Sequence, residues 1–152
     1  VRYPRGKEPA LPLDYQPSMT SFDFYGQANA DVLLVTYGRI FAQCASAVTV
    51  LSKQGIHCAV LKLNVIKPID EKALQAALKM KSIFFFEEGQ RHGGIGESFA
   101  TILLENGYGG NFNLTAVDDE FPIHDSVDSQ LHKYKLDTAG MVETVAEVLN
   151  NG

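Results

Sequence analysis

The sequence predicts an α/β fold of three layers, in which helices cover both faces of a mostly parallel five-stranded sheet with one antiparallel edge strand. Two observations predict it. Apolar strand patterns alternate with helical patterns along the 152 residues, and glycine or aspartate often stands where one pattern gives way to the next. Such alternation is typical of parallel strands joined by right-handed helical crossovers.

Apolar and β-branched runs have the composition of buried strands. They cover residues 31–37, 57–63, 82–86 and 112–117, with a short edge strand at 21–25. Apolar residues at helical spacing predict the helices. These cover residues 38 to about 53, 70 to about 80, 97–106, and a last helix that begins at Asp137. We expect Gly55 to end the first helix, and Asp70 and Asp137 to cap the second and the last.

Three prolines, Pro9, Pro12 and Pro17, fall within residues 7–20 and predict an extended, fairly stiff connector. We interpret this segment as a linker that joins an upstream part of the protein to the globular part that follows. The chain has no initiator methionine and begins inside a dense polar cluster, which we interpret as a piece of a larger protein.

Charge and composition exclude several classes of function. Lys and Arg number 13 against 18 Asp and Glu, a net charge of −5, which gives no electrostatic basis for binding nucleic acid or an anionic membrane. We find no signal peptide and no apolar segment of bilayer-spanning length. Cys44 and Cys58 lie in apolar stretches and do not form a CxxC pair. Buried, reduced thiols in a cytoplasmic protein are the prediction.

The loops that follow the parallel strands are where such sheets meet ligands or partners. One of them contains Gly93-Gly94-Ile95-Gly96, which matches neither a dinucleotide fingerprint nor a phosphate-binding loop with its lysine. We favour a tight turn that lets a helix pack closely on its strand over an anion site. Glu87 and Glu88 are adjacent on a strand and point to opposite faces, so they form no acid/base pair. We expect one of them to brace the glycine turn.

Two histidines on these loops, His92 and His124, are candidates for an acid, a base or a hydrogen-bond donor. Without a third spaced ligand they make a poor metal site. The sharpest polar cluster is Arg2-Tyr3-Pro4-Arg5. Its arginines suit a phosphate or carboxylate, and ion pairing between domains explains them equally well.

Five ordered pieces of the sequence resemble the carboxyl-terminal part of 1-deoxy-D-xylulose-5-phosphate synthases, which are transketolase-type enzymes. They are VRYPRG at 1–6, VLLVTYGRIFAQCASAVTVLSKQGI at 32–56, LKLNVIKPIDEKAL at 61–74, FFFEEGQRHGGIGESFA at 84–100 and DDEFPIHDSVDSQLHKYKLDTAGM at 118–141. Transketolases and the β subunits of pyruvate-type dehydrogenases share this domain. The first and last pieces favour the synthases. The first piece resembles the end of their pyrimidine-binding domain, so the resemblance assigns residues 1–20 to the end of that domain and its linker, and residues 21–152 to the transketolase-type carboxyl-terminal domain.

The resemblance implies a fold like that of the transketolase carboxyl-terminal domain, and a full-length enzyme that uses thiamine diphosphate and Mg²⁺. That enzyme joins a two-carbon unit from pyruvate to glyceraldehyde 3-phosphate with loss of CO₂, and its product feeds isoprenoid, thiamine and pyridoxal synthesis. The cofactor motifs belong to upstream domains, so this chain is expected to bind neither cofactor and to be inactive alone.

By resemblance, Arg5 contacts the phosphate of the aldehyde substrate, and Tyr3 and Arg2 support it. The remaining residues are expected to serve packing against the upstream domains and formation of a homodimer. At 122–125 the sequence PIHD departs from the Ile-Glu-His-Gly of the family. The missing glycine leaves the shape of that loop, and the role of His124, open.

Two other interpretations remain from the sequence. One is a related fragment, either a transketolase half or a dehydrogenase β subunit. The other belongs to a different class: a stand-alone α/β domain that binds a small anion or a partner protein.

Overall fold

A mixed sheet organises the computed structural model, which describes residues 9–27, 29–120, 122 and 124–151. Its strands are β1 (Phe22–Gly26), β2 (Val32–Tyr37), β3 (Cys58–Leu63), β4 (Ser82–Gln90) and β5 (Asn111–Val117). The helices are α1 (Ile40–Lys53), α2 (Glu71–Ala77), α3 (Ile95–Glu105), α4 (Val127–Lys133) and α5 (Thr138–Asn151). The strand order is β1-β3-β2-β4-β5, with β1 antiparallel to β3 and the other pairs parallel. The predicted fold class is confirmed.

Strand β2 lies at the centre of the sheet because its side chains are apolar on both faces. It is buried from Val32 to Thr36 and pairs with β3 on one side and β4 on the other. Successive strand residues face opposite sides. Phe84 and Phe86 of β4 therefore enter the core under α1 and α5, whereas Phe85 enters the core under α2 and α3. Each fully buried phenylalanine contributes about 1.5–3 kcal/mol.

The helix boundaries follow local signals that the sequence displays. Gly55 follows α1 with φ of +81°, a conformation that glycine adopts without strain. The Asp70 carboxylate accepts a 2.8 Å hydrogen bond from the Lys72 amide at the start of α2. Asp137 accepts from the Gly140 amide at 2.8 Å, in the first turn of α5. These three predictions are confirmed.

Some boundaries differ from the sequence prediction. Strand β4 continues to Gln90 through an irregularity after Phe86, and α2 ends at Ala77. Helix α4 was not predicted. It has seven residues, begins where the Ser126 hydroxyl accepts from the Ser129 amide, and buries only Leu131. A helix this short shows too few apolar positions to produce a periodic pattern.

The described part of the proline-containing connector, residues 9–20, is called the strap below. It contains no helix or strand, as the prolines predict. Tyr15 nevertheless belongs to the buried core under α1. The domain boundary between residues 20 and 21 remains a prediction. Within the residues that the structure describes, no helix combines the length and hydropathy needed to cross a bilayer.

Candidate functional site

Parallel strands bring four loops to one edge of the sheet, called the carboxyl edge below. Strands β2, β3, β4 and β5 end there at Tyr37, Leu63, Gln90 and Val117. In open α/β sheets this edge is where ligands and partners are usually met. The loops that follow β2, β4 and β5 are linked by side chains, and those contacts define the candidate site.

Glu87 is the buried centre of this edge. Its side chain enters the layer under α3, and the residue is 1% exposed. The carboxylate accepts hydrogen bonds from the Ile95 amide at 3.1 Å, the Gly96 amide at 3.0 Å and the Tyr37 hydroxyl at 2.9 Å. Two of the four amides that a helix start leaves without a partner are thereby satisfied. The prediction that one glutamate braces the glycine turn is confirmed.

Protein carboxylates, rather than a bound anion, accept from three of the four amides of the glycine turn. Glu87 takes the amides of Ile95 and Gly96, and Glu97 accepts from the Gly93 amide at 2.7 Å. That amide, and then His92, hold the pKa of Glu97 below its ordinary value. The turn is also tight. A Cβ on Gly94 would lie 2.5 Å from the Gln90 carbonyl, and one on Gly96 would collide with Leu114. The sequence interpretation of close packing is confirmed.

Glu88 points the opposite way from Glu87 and meets Arg39 at the start of α1. The Arg39 Nε lies 3.0 and 2.9 Å from the two carboxylate oxygens. The two glutamates therefore brace separate loops and form no acid/base pair, as the strand period predicts. Sequence reasoning missed the role of Arg39. Its only signal was a cation in the loop directly after β2.

Arg91 links the loop after β4 to the end of β5. Its Nε lies 3.0 Å from the Asp118 carboxylate, and its Nη1 donates to the Leu114 carbonyl at 2.8 Å. The Arg91 amide donates to the Val117 carbonyl at 2.8 Å. Main chain and side chain together fix this loop against β5.

A small cavity of about 220 Å³ lies beside the Arg39–Glu88 pair, with α4 as its other wall. Its lining mixes those charged groups with Gln130, Leu131 and Leu136. Small-molecule sites usually measure roughly 300–1,000 Å³. The volume of this cavity is therefore below the range that usually holds a whole small-molecule ligand.

Both candidate histidines are exposed to solvent. His92 Nδ1 stands 3.5 Å from a carboxylate oxygen of Glu97, and the His92 side chain is 75% exposed. His124 is exposed in the loop before α4. The described residues contain no group of three or more His, Cys, Asp or Glu side chains that could hold a metal ion. Any chemical role for either histidine remains a prediction.

The other sequence candidates divide into two sets. Arg2, Tyr3 and Arg5 lie outside the described residues, so their predicted roles remain predictions. Cys44 and Cys58 are free and buried, as predicted. Burial raises the pKa of the Cys58 thiol to about 12 and that of Cys44 further still. Neither has the lowered pKa of a reactive thiol.

Comparison with known proteins places this fold in an established family. Residues 25–141 match the family model described as "Transketolase, C-terminal domain", and the chain belongs to this family. A solved structure described as a split-gene transketolase, an inactive β4 tetramer, superposes with a TM-score of 0.78 at 24% identity. The superposition covers 92% of this chain and 47% of that one. At this identity the superposition shows the shared fold alone.

Among curated proteins, the chain is 28% identical to a 1-deoxy-D-xylulose-5-phosphate synthase of Symbiobacterium thermophilum over 98% of its own length. It is 33% identical to a mitochondrial pyruvate dehydrogenase E1 β subunit of Dictyostelium discoideum over 51% of its length. The chain spans only 24% of the first relative and 22% of the second.

Proposed function

We propose that this chain is the carboxyl-terminal domain of a thiamine-diphosphate-dependent transferase of the 1-deoxy-D-xylulose-5-phosphate synthase type. The full-length protein would condense pyruvate with glyceraldehyde 3-phosphate, releasing CO₂ and forming 1-deoxy-D-xylulose 5-phosphate. In this proposal the enzyme is a cytoplasmic homodimer, and the chain contributes domain packing, dimer contacts and part of the substrate phosphate site.

The observation that carries the proposal is the extent of the synthase match. The Symbiobacterium synthase aligns over 98% of the chain, whereas the dehydrogenase subunit aligns over 51%. A match to the shared domain alone would leave the amino-terminal residues unaligned, since the family model begins at Tyr25. The synthase match therefore reaches into the segment that includes the Arg-Tyr-Pro-Arg-Gly motif.

We propose that this chain holds neither thiamine diphosphate nor Mg²⁺. In support, the described residues contain no group of three or more side chains that could hold a metal ion, and Glu87 and Glu97 accept from three amides of the glycine turn. We assign both cofactors to the rest of the longer protein. When bound there, the thiazolium ylid supplies the carbanion chemistry.

Arg5 is the residue of this chain that we place in the substrate site. A guanidinium binds a phosphate through two parallel hydrogen bonds, a geometry that lysine does not reproduce. Tyr3 and Arg2 are proposed to hold that arginine or the domain edge in place. We propose no chemical step for His92 or His124, because both side chains are exposed to solvent on loops.

The activity is tested on the full-length protein purified from its source. We expect 1-deoxy-D-xylulose 5-phosphate, detected by mass spectrometry, only when thiamine diphosphate, Mg²⁺, pyruvate and glyceraldehyde 3-phosphate are all present. Product from ketose-phosphate donors without pyruvate would instead show a transketolase. Lipoamide acetylation from pyruvate, without the sugar phosphate, would show a dehydrogenase.

The substrate site is tested by Arg5→Ala in the full-length protein. Truncating one partner of a bound charge pair costs about 2–5 kcal/mol, so KM for glyceraldehyde 3-phosphate should rise about 30-fold or more. KM for pyruvate should stay within about twofold of the wild-type value, because Arg5 is proposed to contact only the aldehyde substrate.

Two control variants sharpen this test. Arg5→Lys keeps the charge and should recover only part of the affinity. Lys53→Ala removes an exposed cation at the end of α1 and should leave KM for the aldehyde unchanged. An unchanged KM for the aldehyde in Arg5→Ala removes Arg5 from the site.

A transketolase half is the second candidate function. The solved relative described as a split-gene transketolase has this fold in a separately encoded chain, and the dehydrogenase subunit is 33% identical over the 51% of this chain that it covers. An immunoblot of source lysate separates the candidates. A band several domains long supports the synthase, and a band near 35 kDa or below, roughly one to two domains, supports a separate subunit or a stand-alone domain.

A further inference from the structure

The strap is held on the domain by a buried aromatic anchor. Tyr15 is 8% exposed, and its ring centroid lies 4.4 Å from that of Phe41 and 6.1 Å, edge-on, from that of Tyr25. The Lys62 ammonium lies 5.3 Å from the centre of the Tyr15 ring and donates to its hydroxyl at 3.1 Å. A buried tyrosine whose hydroxyl is hydrogen-bonded holds an otherwise irregular segment in place.

A buried carboxylate secures the strap a second time. Asp23 of β1 accepts the Tyr15 hydroxyl at 2.6 Å, the Asn64 side-chain amide at 3.0 Å and the Ser18 hydroxyl. Burial opposes ionisation of Asp23, yet these hydrogen bonds hold its pKa below its ordinary value. Tyr15 and Ser18 are strap residues, so the carboxylate binds the strap at two points. The strap is therefore a fixed part of the domain surface.

The strap directs its large apolar side chains away from the domain that holds it. Leu13 and Met19 are fully exposed, and Leu11 is nearly half exposed. Near Met19, the Ser21 carbonyl accepts the amides of Asn64 and Val65, and the partly exposed Val65 and Ile66 follow there. Single exposed apolar residues are common, but several along one immobilised segment indicate a contact surface.

We propose that Leu11, Leu13 and Met19 form the docking surface through which this domain packs against the remainder of its longer polypeptide. The inference rests on the proposed function in one respect, that the native protein is several domains long. The strap holds these exposed side chains in place, here called the ridge, and a complementary apolar surface of another domain of the same chain covers them.

The covalent tether favours this occupant over a second copy of the chain. A stable dimer buries roughly 800 Å² from each partner and uses 20–30 residues a side, so a second copy could cover the strap only together with other surfaces. A covalently linked domain needs much less, because the linker holds it at an effective concentration in the millimolar range. The relatives are about four times as long as this chain, so a tethered domain is available.

The test is oxidation of the full-length protein by dilute peroxide, followed by mass spectrometry of the three methionines that belong to this chain. Met19 is fully exposed in the domain, Met80 is half-buried and Met141 is buried, so the last two report on the fold. We expect Met19 to oxidise about tenfold more slowly than in the urea-unfolded protein. The protection should persist in a sample diluted until size-exclusion chromatography shows a monomer.

Paired variants check the anchor. Leu13→Asp should restore fast oxidation of Met19 while Met141 stays protected. Gln16→Asp adds the same charge at an exposed strap position without removing an apolar side chain, and should leave Met19 protected.

The other outcomes overturn the inference. Met19 oxidising at the unfolded rate would mean that nothing covers the ridge, and protection lost on dilution would mean that a second copy does. Synthase activity measured on the same sample keeps the two proposals apart. An active enzyme with unprotected Met19 refutes only the docking surface, and a protected Met19 without activity refutes only the function.

Discussion

Replacing Glu87 by glutamine tests whether the buried carboxylate holds the carboxyl edge together. One carboxylate oxygen accepts from Ile95 and Tyr37, and the other accepts from Gly96. A glutamine offers one acceptor oxygen and places an amino group against the remaining donor. At least one buried donor then loses its partner, at a cost of about 1–3 kcal/mol, and the surviving bonds lose their charge. We expect a total loss of about 2–4 kcal/mol in the free energy of unfolding.

The neighbouring residue supplies the matched control. Glu88→Gln removes one charge from a partly exposed ion pair with Arg39 and should cost about 1 kcal/mol or less. Urea denaturation followed by circular dichroism measures both variants. In thermal melts, Glu87→Gln should lower Tm by roughly 4–16 °C, since 1 kcal/mol corresponds to about 2–4 °C in a domain of this size. Equal losses in the two variants would refute the structural role assigned to Glu87.

Two further predictions concern the strap and the glycine turn. The pKa of Asp23 in the folded protein is lowered. The stability advantage of the wild type over Asp23→Asn should therefore be full above about pH 4 and should be lost as the pH falls through that folded pKa. Urea titrations between pH 7 and pH 2 measure this advantage, and an advantage that does not change with pH contradicts the prediction. Gly96→Ala drives a methyl group into Leu114, and overpacking of about 1–3 kcal/mol should outweigh the roughly 1 kcal/mol gain in helix propensity. Gly109→Ala, with open space around it, should change the free energy of unfolding by less than about 0.5 kcal/mol.

The sheet could be predicted because its determinants are local. The apolar run of β2 and the alternation that separates Glu87 from Glu88 depend on a period of two residues along one strand. Gly55 and Asp70 mark helix boundaries through backbone and side-chain preferences that act within a few residues. For the same reason, the bracing role of one glutamate next to the glycine turn was visible in the sequence.

Contacts between distant segments could not be predicted in this way. Arg39 and Glu88 are 49 positions apart, and their pairing depends on β2 and β4 being neighbours in the sheet. The strap looked like a simple linker because its prolines report backbone geometry, whereas the burial of Tyr15 depends on Phe41 and Lys62 from later elements. Local patterns carry no information on such partners.

The position of Arg91 has a consequence for the solubility of the protein. Within the described residues β5 is one of the two edge strands of the sheet, and its sequence, NFNLTAV, has neither charge nor proline. The Asn111 amide and the Val117 carbonyl bond towards β4, so the alternating groups, including the Leu114 carbonyl, face away from it. An uncharged edge of this kind invites pairing with strands of other molecules. By donating to Leu114, Arg91 occupies one of these outward carbonyls and places its charged side chain in the middle of that edge, where another strand would have to displace it before pairing.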